Sequence, residues 1–226
     1  MALFVDFDGT LVDIAPTPAG IHVPDRLPKR LTRLSRRLGD RVALVSGRSL
    51  DDLFAHLGSP NLAAAGSHGA DRRLRDGESL GDRPRGLPQS VRNLLVDLSR
   101  EHGFSLEDKP HGMALHFRDR PELASRGDEL LRPLAANHGI ELKRGKAVFE
   151  LVRPGAEKGG AVRAFMKIPP FVGARPVFVG DDVTDEDGFR AAQAMDGLAI
   201  LVGDRRPTDA TFSLADPAAL HAWLGL

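Results

Sequence analysis

Several residue types and patterns are missing from this sequence of 226 residues. It contains no cysteine, which excludes disulfide bonds and thiolate chemistry. It carries no net charge, because 31 Lys and Arg residues balance 31 Asp and Glu residues, so nucleic-acid or acidic-membrane partners are not expected. No apolar run is long enough to span a bilayer, and the first residues lack the basic and apolar regions of a signal peptide. We therefore expect a soluble, cytoplasmic protein.

The sequence does contain enough apolar material for a substantial core, since 42% of its residues are hydrophobic and 27% are charged. This amount suits one large domain or two small ones. The basic run Arg26–Arg41 carries leucines at helical spacing and no interleaved aromatic residues. It therefore predicts an amphipathic helix with a charged outer face rather than a nucleic-acid patch.

The first and last thirds of the chain alternate short apolar runs with amphipathic helices. Apolar runs without internal alternation, separated by helices, are typical of a parallel sheet covered on both faces. The predicted strands are Leu3–Asp6, Val42–Ser46, Ala63–Gly66, Pro176–Val179, Leu198–Val202 and Thr211–Leu214. The predicted helices are Arg26–Leu38, Leu50–Leu57, one that follows Lys158, Asp185–Met195 and a closing helix that starts at Asp216-Pro217.

The middle of the chain has a different pattern, in which a helix followed by a β-hairpin occurs twice. The predicted order is helix Pro88–His102, strands Phe104–Lys109 and Met113–Arg118, helix Pro121–His138, and strands Ile140–Lys143 and Ala147–Val152. Segments rich in Gly, Pro and Arg flank this part, as interdomain hinges often do. We predict an α/β core, 1–82 with 155–226, that carries an inserted α+β domain, 83–154.

Alternation along the inserted strands predicts one apolar and one polar face. The polar face would present Glu107, Lys109, His116, Arg118, Lys146 and Glu150. Two interpretations of this face remain open. It is either an ordinary solvated surface or a surface that recognises an anionic ligand rich in hydroxyl groups.

The opening strand delivers Asp6 and Asp8 into a turn at Gly9. Side chains two residues apart on a strand point the same way, so the two carboxylates can face one point beyond the strand. Carboxylates crowded together favour a bound cation or a shared proton. The alternative is that these residues merely form a loop.

Polar residues follow the other predicted strands as well, at the edge where parallel sheets bind ligands. Ser46-Gly47-Arg48, Ser67-His68-Gly69 and Gly180-Asp181-Asp182 end three strands, and Lys158 begins a helix. Taken singly, Ser46 suits a turn, Lys158 suits a solvated helix start, and acids after Gly180 complement a helix dipole. The dipole interpretation is kept for Glu186 and Asp187.

Together and in this order, Asp6-x-Asp8, Ser46, Lys158 and Gly180-Asp181-Asp182-x-x-Asp185 resemble the four motifs of the haloacid dehalogenase-like (HAD) phosphotransferases. The resemblance implies a Rossmann-like parallel-sheet core with an inserted cap. It implies Mg²⁺ as cofactor and an aspartyl-phosphate intermediate. The implied catalytic residues are Asp6, Asp8, Ser46, Lys158 and Asp185, and the implied metal ligands are Asp6, Asp8, Asp181 and Asp182.

The resemblance also implies a role for each residue. Asp6 would attack phosphorus and ligate the metal. Asp8 would protonate the leaving sugar oxygen and then activate water, with only its backbone carbonyl on the metal. Ser46 and Lys158 would hold the phosphoryl oxygens. The separate roles of Asp182 and Asp185, as positioners of metal-bound water or of Lys158, stay open.

Longer strings, above all Gly180-Asp181-Asp182-Val183-Thr184-Asp185-Glu186-Asp187, resemble the subgroup that includes trehalose-6-phosphate phosphatases. This implies hydrolysis of trehalose 6-phosphate, within trehalose biosynthesis, by a protein that we expect to be a monomer. The implied substrate-binding residues are Arg48, His68, Glu107, Lys109, Arg118, Lys146 and Glu150. The chain departs from the family pattern at Val148, where some members have asparagine, and at Gly188, where alanine is usual.

Two other functions stay open. The first is a phosphatase for another sugar phosphate, such as sucrose or glucosylglycerol phosphate, which would use the same aspartate chemistry. The second is a non-catalytic sugar-phosphate sensor on the same fold, which the presence of both Asp6 and Asp8 disfavours.

Overall fold

A computed structural model of the chain describes residues 1–15, 17, 20–58, 60–82, 85–109, 111–145 and 147–226. The chain divides into two compact units, Met1–Arg83 with Glu157–Leu226, and Pro84–Ala156. The boundaries drawn from the sequence, 1–82, 83–154 and 155–226, stay a prediction, because compactness alone does not establish independent folding.

The strands and helices are numbered in chain order. The strands are β1 (Ala2–Val5), β2 (Val42–Val45), β3 (Ala63–Gly66), β4 (Asp71–Arg73), β5 (Ser105–Lys109), β6 (Gly112–His116), β7 (Glu141–Gly145), β8 (Val148–Val152), β9 (Pro176–Gly180), β10 (Leu198–Val202) and β11 (Phe212–Leu214). The helices are α1 (Leu27–Arg37), α2 (Leu50–Leu57), α3 (Gln89–His102), α4 (Leu123–His138), α5 (Lys158–Phe165), α6 (Glu186–Gln193) and α7 (Pro217–Leu224).

In the described part of the first unit, seven strands form one sheet in the order β11–β10–β9–β1–β2–β3–β4. Every pair is parallel except β3 with β4. Leu3 and Val5 of β1 pack in one apolar cluster, whereas Ala2 and Phe4 pack in a second. The sheet is therefore buried on both faces, which explains why its strands are apolar without alternation. The α/β class predicted from the sequence is confirmed.

Strand β4 was not predicted from the sequence. It is a three-residue antiparallel strand at the edge of the sheet, Asp-Arg-Arg, and all three residues are half-buried. A short polar segment carries no periodic apolar signal. Its pairing with β3, in which Ala64 lies opposite Arg73, depends on the turn between the strands.

Two helices of the first unit begin at a capping side chain. Ser49 caps α2 by accepting a hydrogen bond from the backbone N–H of Asp52 (3.2 Å). Asp216 caps α7 in the same way through Ala219 (2.8 Å). The basic run does form an amphipathic helix, α1, in which the leucines are buried and most of the basic side chains are exposed. None of the helices in the described part of the chain has the length and apolar character needed to cross a membrane.

The second unit contains two helix–hairpin pairs that share one sheet. Among its described residues, four antiparallel strands lie in the order β5–β6–β8–β7, and Leu115 of β6 pairs with Phe149 of β8. Apolar side chains of this sheet pack with those of α3 and α4 in a third cluster. Strand β6 ends at His116, two residues earlier than predicted, and Arg118 lies in the exposed turn that follows.

Candidate active site

The candidate site lies at the carboxyl ends of the parallel strands of the first unit. Asp6 follows β1, and its backbone N–H donates to Val179 of β9 (2.9 Å). Ser46 follows β2, and its N–H donates to Ala65 of β3 (2.8 Å). These bonds continue the sheet by one residue beyond each strand. The polar residues that follow separate strands therefore meet at one edge, as parallel topology requires.

A buried lysine lies between two carboxylates at the centre of this edge. Lys158, the first residue of α5, is 2% exposed, and its Nζ lies 2.9 Å from Oδ1 of Asp6 and 2.7 Å from Oδ1 of Asp185. Burial alone would lower the pKa of Lys158, but the charges of Asp185 and Asp6 and their hydrogen bonds raise it above its ordinary value. The lysine is therefore held in its charged form.

Three carboxylates crowd around this lysine. Oxygens of Asp6, Asp181 and Asp185 all lie within 4.8 Å of one another. Burial, together with repulsion from Asp185 and Asp181, raises the pKa of Asp6 well above its ordinary value, although Lys158 opposes this. Burial and the charge of Asp185 likewise raise the pKa of Asp181 to about 7. One lysine does not neutralise three carboxylates, so without a cation the cluster favours protonation of some of its acids.

The donor set of this cluster fits a hard divalent cation, which prefers carboxylate oxygens. Asp185 already accepts bonds on both oxygens, from Lys158 on Oδ1 and from the backbone N–H groups of Asp181 (3.0 Å) and Asp182 (2.9 Å) on Oδ2. The side chains best placed to hold a metal are therefore Asp6 and Asp181. Gly9 leaves room for Asp181, because a Cβ on Gly9 would lie 2.1 Å from its Oδ2.

Asp182 and Asp185, whose roles stayed open in the sequence, make different contacts in the structure. Asp185 orients Lys158 and closes the loop after β9. Asp182 instead is the N-cap residue of the 3₁₀ turn Val183–Asp185, and its carbonyl oxygen accepts the backbone N–H of Asp185 (3.0 Å). Asp182 as a metal ligand stays a prediction, and its cap contact does not itself support it.

Asp8 is paired with Arg48. Two guanidinium nitrogens, Nε and Nη2, each donate to one carboxylate oxygen of Asp8 at 2.7 Å. The third nitrogen, Nη1, donates to Oδ2 of Asp52 (2.6 Å). This bidentate contact fixes the plane of the Asp8 carboxylate. Arg48 as a substrate-binding residue stays a prediction, and the structure places it beside Asp8, the predicted acid and base.

A strained turn after β3 brings His68 to the same edge. Ser67 and His68 both have positive φ angles, 56° and 54°, which non-glycine residues seldom adopt. The backbone N–H of His68 donates to the carbonyl oxygen of Ser46 (3.0 Å), and its ring packs against Gly47, where a Cβ would lie 2.7 Å from Cε1. Oγ of Ser46 accepts from the N–H of Arg48 (3.1 Å), so its hydroxyl proton can be donated to a ligand.

In the second unit, the predicted polar face contains a charged network. Nε2 of His116 lies 2.9 Å from Oε2 of Glu107, and Lys109 forms ion pairs with Glu107 and Glu150. The hydrogen bond to His116 lowers the pKa of Glu107, with help from the charge of Lys109. Lys146 lies outside the described residues. Glu107, Lys109 and Glu150 share one face, as predicted.

Some residues that support the site were not recognised in the sequence. Oδ2 of Asp187 accepts the backbone N–H of Gly159 (3.0 Å) and so fixes the start of α5, next to Lys158. Oγ1 of Thr10 donates to Oδ1 of Asp181 (2.9 Å). The acidic start of α6 was interpreted as complementing its own helix dipole. The contact of Asp187 with α5 is not indicated by anything in the local sequence.

The chain was compared with known proteins. The family model described as trehalose-phosphatase matches residues 4–218. The chain is 37% identical over 224 residues to a probable trehalose-phosphate phosphatase of Sinorhizobium fredii, an alignment that covers 97% of this chain and 84% of the relative. It is 34% identical over 232 residues to the trehalose-6-phosphate phosphatase of Escherichia coli, covering 99% of this chain and 85% of the relative.

Solved structures agree in fold. A trehalose-6-phosphate phosphatase related protein superposes with a TM-score of 0.74 at 26% identity, covering 100% of this chain and 96% of the other. The C-terminal domain of the trehalose-6-phosphate phosphatase of C. albicans has a TM-score of 0.83 at 22% identity, covering 100% of this chain and 92% of the other. At that identity the second likeness concerns the fold alone.

The raised pKa of Asp181 makes a prediction for the metal-free protein. The pKa is about 7 in the folded state against an ordinary value of 3.8, so folding favours the protonated acid. That stabilisation is present below about pH 4 and is lost as the pH rises through about 7. We expect Asp181→Asn, which does not titrate, to gain a few degrees in Tm relative to the unchanged protein between pH 5 and pH 8.

Thermal unfolding in a chelator at pH 5, 6, 7 and 8 measures this difference. The matched control is Asp13→Asn, an exposed aspartate outside the cluster, whose difference from the unchanged protein should stay flat. A Tm difference for Asp181→Asn that is the same at every pH would contradict the assignment.

Proposed function

This chain belongs to the trehalose-phosphatase family, and from that premise we propose that it hydrolyses trehalose 6-phosphate to trehalose and inorganic phosphate. The observation that carries the proposal is the buried set Asp6–Lys158–Asp185, within a chain that the family model matches over residues 4–218. A sensor that only bound the sugar phosphate would have no need of two buried acids beside a buried lysine. The protein is thus a phosphomonoester hydrolase of the HAD type.

In the proposed reaction, a carboxylate oxygen of Asp6 forms a bond to phosphorus while the bond from phosphorus to the sugar oxygen breaks. Asp8, which carries a proton at this step and has given up one of its two bonds from Arg48 to do so, donates that proton to the leaving oxygen. Asp8 then takes a proton from water, which attacks phosphorus and releases phosphate from Asp6. Arg48 keeps the Asp8 carboxylate in a fixed plane, and Asp52 holds Arg48 from the other side.

The phosphoryl group is proposed to lie between Ser46 and Lys158. Lys158 keeps its charge because its two carboxylate partners raise its pKa, so it can stabilise negative charge on phosphoryl oxygens. Asp6 and Asp181 would hold Mg²⁺, which when bound lets a carboxylate approach an anionic phosphate and stabilises the transferred group.

Recognition of the sugar is proposed to use the polar face of the second sheet. Glu107 and Glu150 supply carboxylates that accept hydrogen bonds from hydroxyl groups, and Lys109 supplies a donor between them. Arg118 and Lys146 were predicted to belong to this set. His68 is proposed to contact substrate from the first unit, next to Ser46.

We also propose that the enzyme works in the cytoplasm and as a monomer. The absence of cysteine fits a reducing compartment. Balanced charge gives no reason to expect nucleic acid or membrane as a partner.

The first prediction concerns the substrate. With Mg²⁺, phosphate release should be fastest, in kcat/KM, from trehalose 6-phosphate in a panel that includes sucrose 6-phosphate, glucosylglycerol phosphate, glucose 6-phosphate and p-nitrophenyl phosphate. A chelator should abolish release because it removes the cation that lets a carboxylate approach an anionic phosphate. A clear preference for another sugar phosphate would replace the proposed substrate, and binding without any release would favour the sensor.

The second prediction concerns the nucleophile. Asp6→Asn should lower kcat at least about 10³-fold, since an amide cannot form the acyl phosphate. Circular dichroism should show an intact fold. Asp13→Asn, which removes an exposed charge from the segment after the opening turn, is the matched control and should keep full activity. Turnover retained by Asp6→Asn would remove Asp6 from the role of nucleophile.

The third prediction concerns sugar recognition. Glu150→Gln should raise KM for trehalose 6-phosphate about tenfold or more and leave p-nitrophenyl phosphate nearly unchanged, because that ester has no sugar to recognise. Glu129→Gln, on the exposed side of α4 in the same unit, is the matched control. Equal losses on both substrates would show that Glu150 supports the fold rather than the sugar.

A further inference from the structure

Arg205 lies in the loop after β10 and reaches the loop after β9, which carries Asp181. Its Nε donates to the carbonyl oxygen of Asp181 and its Nη2 to that of Asp182, both at 3.2 Å. Nη1 donates to the carbonyl oxygen of Pro207 (2.7 Å), and Nη2 also pairs with Glu186. Nothing in the sequence patterns singled out this arginine.

The peptide group between Asp181 and Asp182 is held at both of its ends. Its carbonyl oxygen, which belongs to Asp181, accepts from Arg205. Its N–H, which belongs to Asp182, donates to Oδ2 of Asp185. A peptide group is planar, so fixing both ends fixes its rotation. The rotation of this group sets the direction in which the adjoining Asp181 side chain leaves the backbone.

We propose that Arg205 is a positioning residue that holds the Asp181 carboxylate in place for Mg²⁺, an inference that rests on the proposed function. Arg205 does not act as a substrate ligand, since four of the hydrogen bonds it can donate are used inside the protein, and a guanidinium has five N–H groups. Arg205 acts indirectly, by fixing the position of Asp181.

The arginine is itself fixed by a second layer of contacts. Oε1 of Glu186 pairs with its guanidinium, and Oε2 of Glu186 accepts the backbone N–H of Asp209 (2.8 Å). The Asp209 side chain pairs with Arg190 of α6 (2.8 Å). The loop after β10 is thereby bound to α6 at Arg205 and again at Asp209. The side chain of Arg205 is only 24% exposed, so solvent competes little for these bonds.

An electrostatic role and a positioning role predict opposite effects on Mg²⁺ binding when Arg205 is removed. If Arg205 acted only through its positive charge, removing it would strengthen binding of a nearby cation, because like charges repel. If it acts by fixing the Asp181–Asp182 peptide group, removing it weakens binding, since the ligand must then be ordered at the moment the metal binds. Contacts that orient metal ligands typically change metal affinity by 10- to 100-fold.

The test measures Mg²⁺ binding by calorimetry in the absence of substrate. Arg205→Ala should weaken binding about tenfold or more. Arg205→Lys keeps the charge, but an ammonium group cannot bond both carbonyl oxygens as the planar guanidinium does. It should therefore weaken Mg²⁺ binding, though less than Arg205→Ala does. In metal-free protein, amide hydrogen exchange across 180–184 should accelerate in Arg205→Ala. In turnover, the Mg²⁺ concentration for half-maximal rate should rise while KM for the sugar phosphate at saturating Mg²⁺ stays constant.

Arg206→Ala is the matched control, because Arg206 is exposed, carries the same charge and donates only to the carbonyl of Arg205 in the described structure. It should bind Mg²⁺ as the unchanged protein does. Unchanged or tighter Mg²⁺ binding in Arg205→Ala overturns the proposal. If Arg205→Ala fails to fold, Arg205→Lys decides by the same measurement. The two proposals can fail separately. If the protein binds Mg²⁺ but releases no phosphate from trehalose 6-phosphate, the proposed function is wrong, whereas the effect of Arg205 on Mg²⁺ binding can still be measured.

Discussion

The structure of the site depends on one buried ion pair network, in which Lys158 lies between Asp6 and Asp185. A lysine that is 2% exposed is costly unless its charge is compensated. Removing one partner of such a buried set typically costs about 3–5 kcal/mol, because it leaves a charge without compensation. Asp185 also bonds the amides of Asp181 and Asp182, so the same network that keeps Lys158 charged shapes the loop that carries the second metal ligand.

This network is possible because the parallel sheet brings distant segments to one edge. Asp6 continues β1, Asp181 follows β9, and the two strands are neighbours in register, with Val5 beside Val179. Lys158 arrives from a different direction, at the first residue of α5, where Asp187 of α6 bonds the next backbone N–H. Asp187, which looks like an ordinary helix-start residue in the sequence, thus connects α5 with α6. The position of the lysine is set by the packing of α5 on α6 as much as by its own strand-end partners.

Much of this could be predicted from the sequence, because Asp6, Ser46 and Asp181 each follow an apolar run that is recognisable by itself. The ends of α2 and α7 follow from Ser49 and Asp216 in the same local way. The pairing of Arg48 with Asp8, 40 residues apart, and of Arg205 with the Asp181 carbonyl, 24 residues apart, could not. Such contacts depend on where two loops meet in three dimensions, and arginine is common enough that its presence alone indicates nothing.

The two units also differ in the kind of ligand that their charges suit. The acidic cluster of the first unit has more carboxylates than cations, so it needs a metal before it can accept a phosphate. On the face of the second sheet, two carboxylates, Glu107 and Glu150, share the single ammonium group of Lys109, and His116 bonds Glu107. The excess of carboxylate acceptors favours neutral hydroxyl groups over a second anion. The charges on the second sheet therefore suit an uncharged sugar better than a second phosphate group.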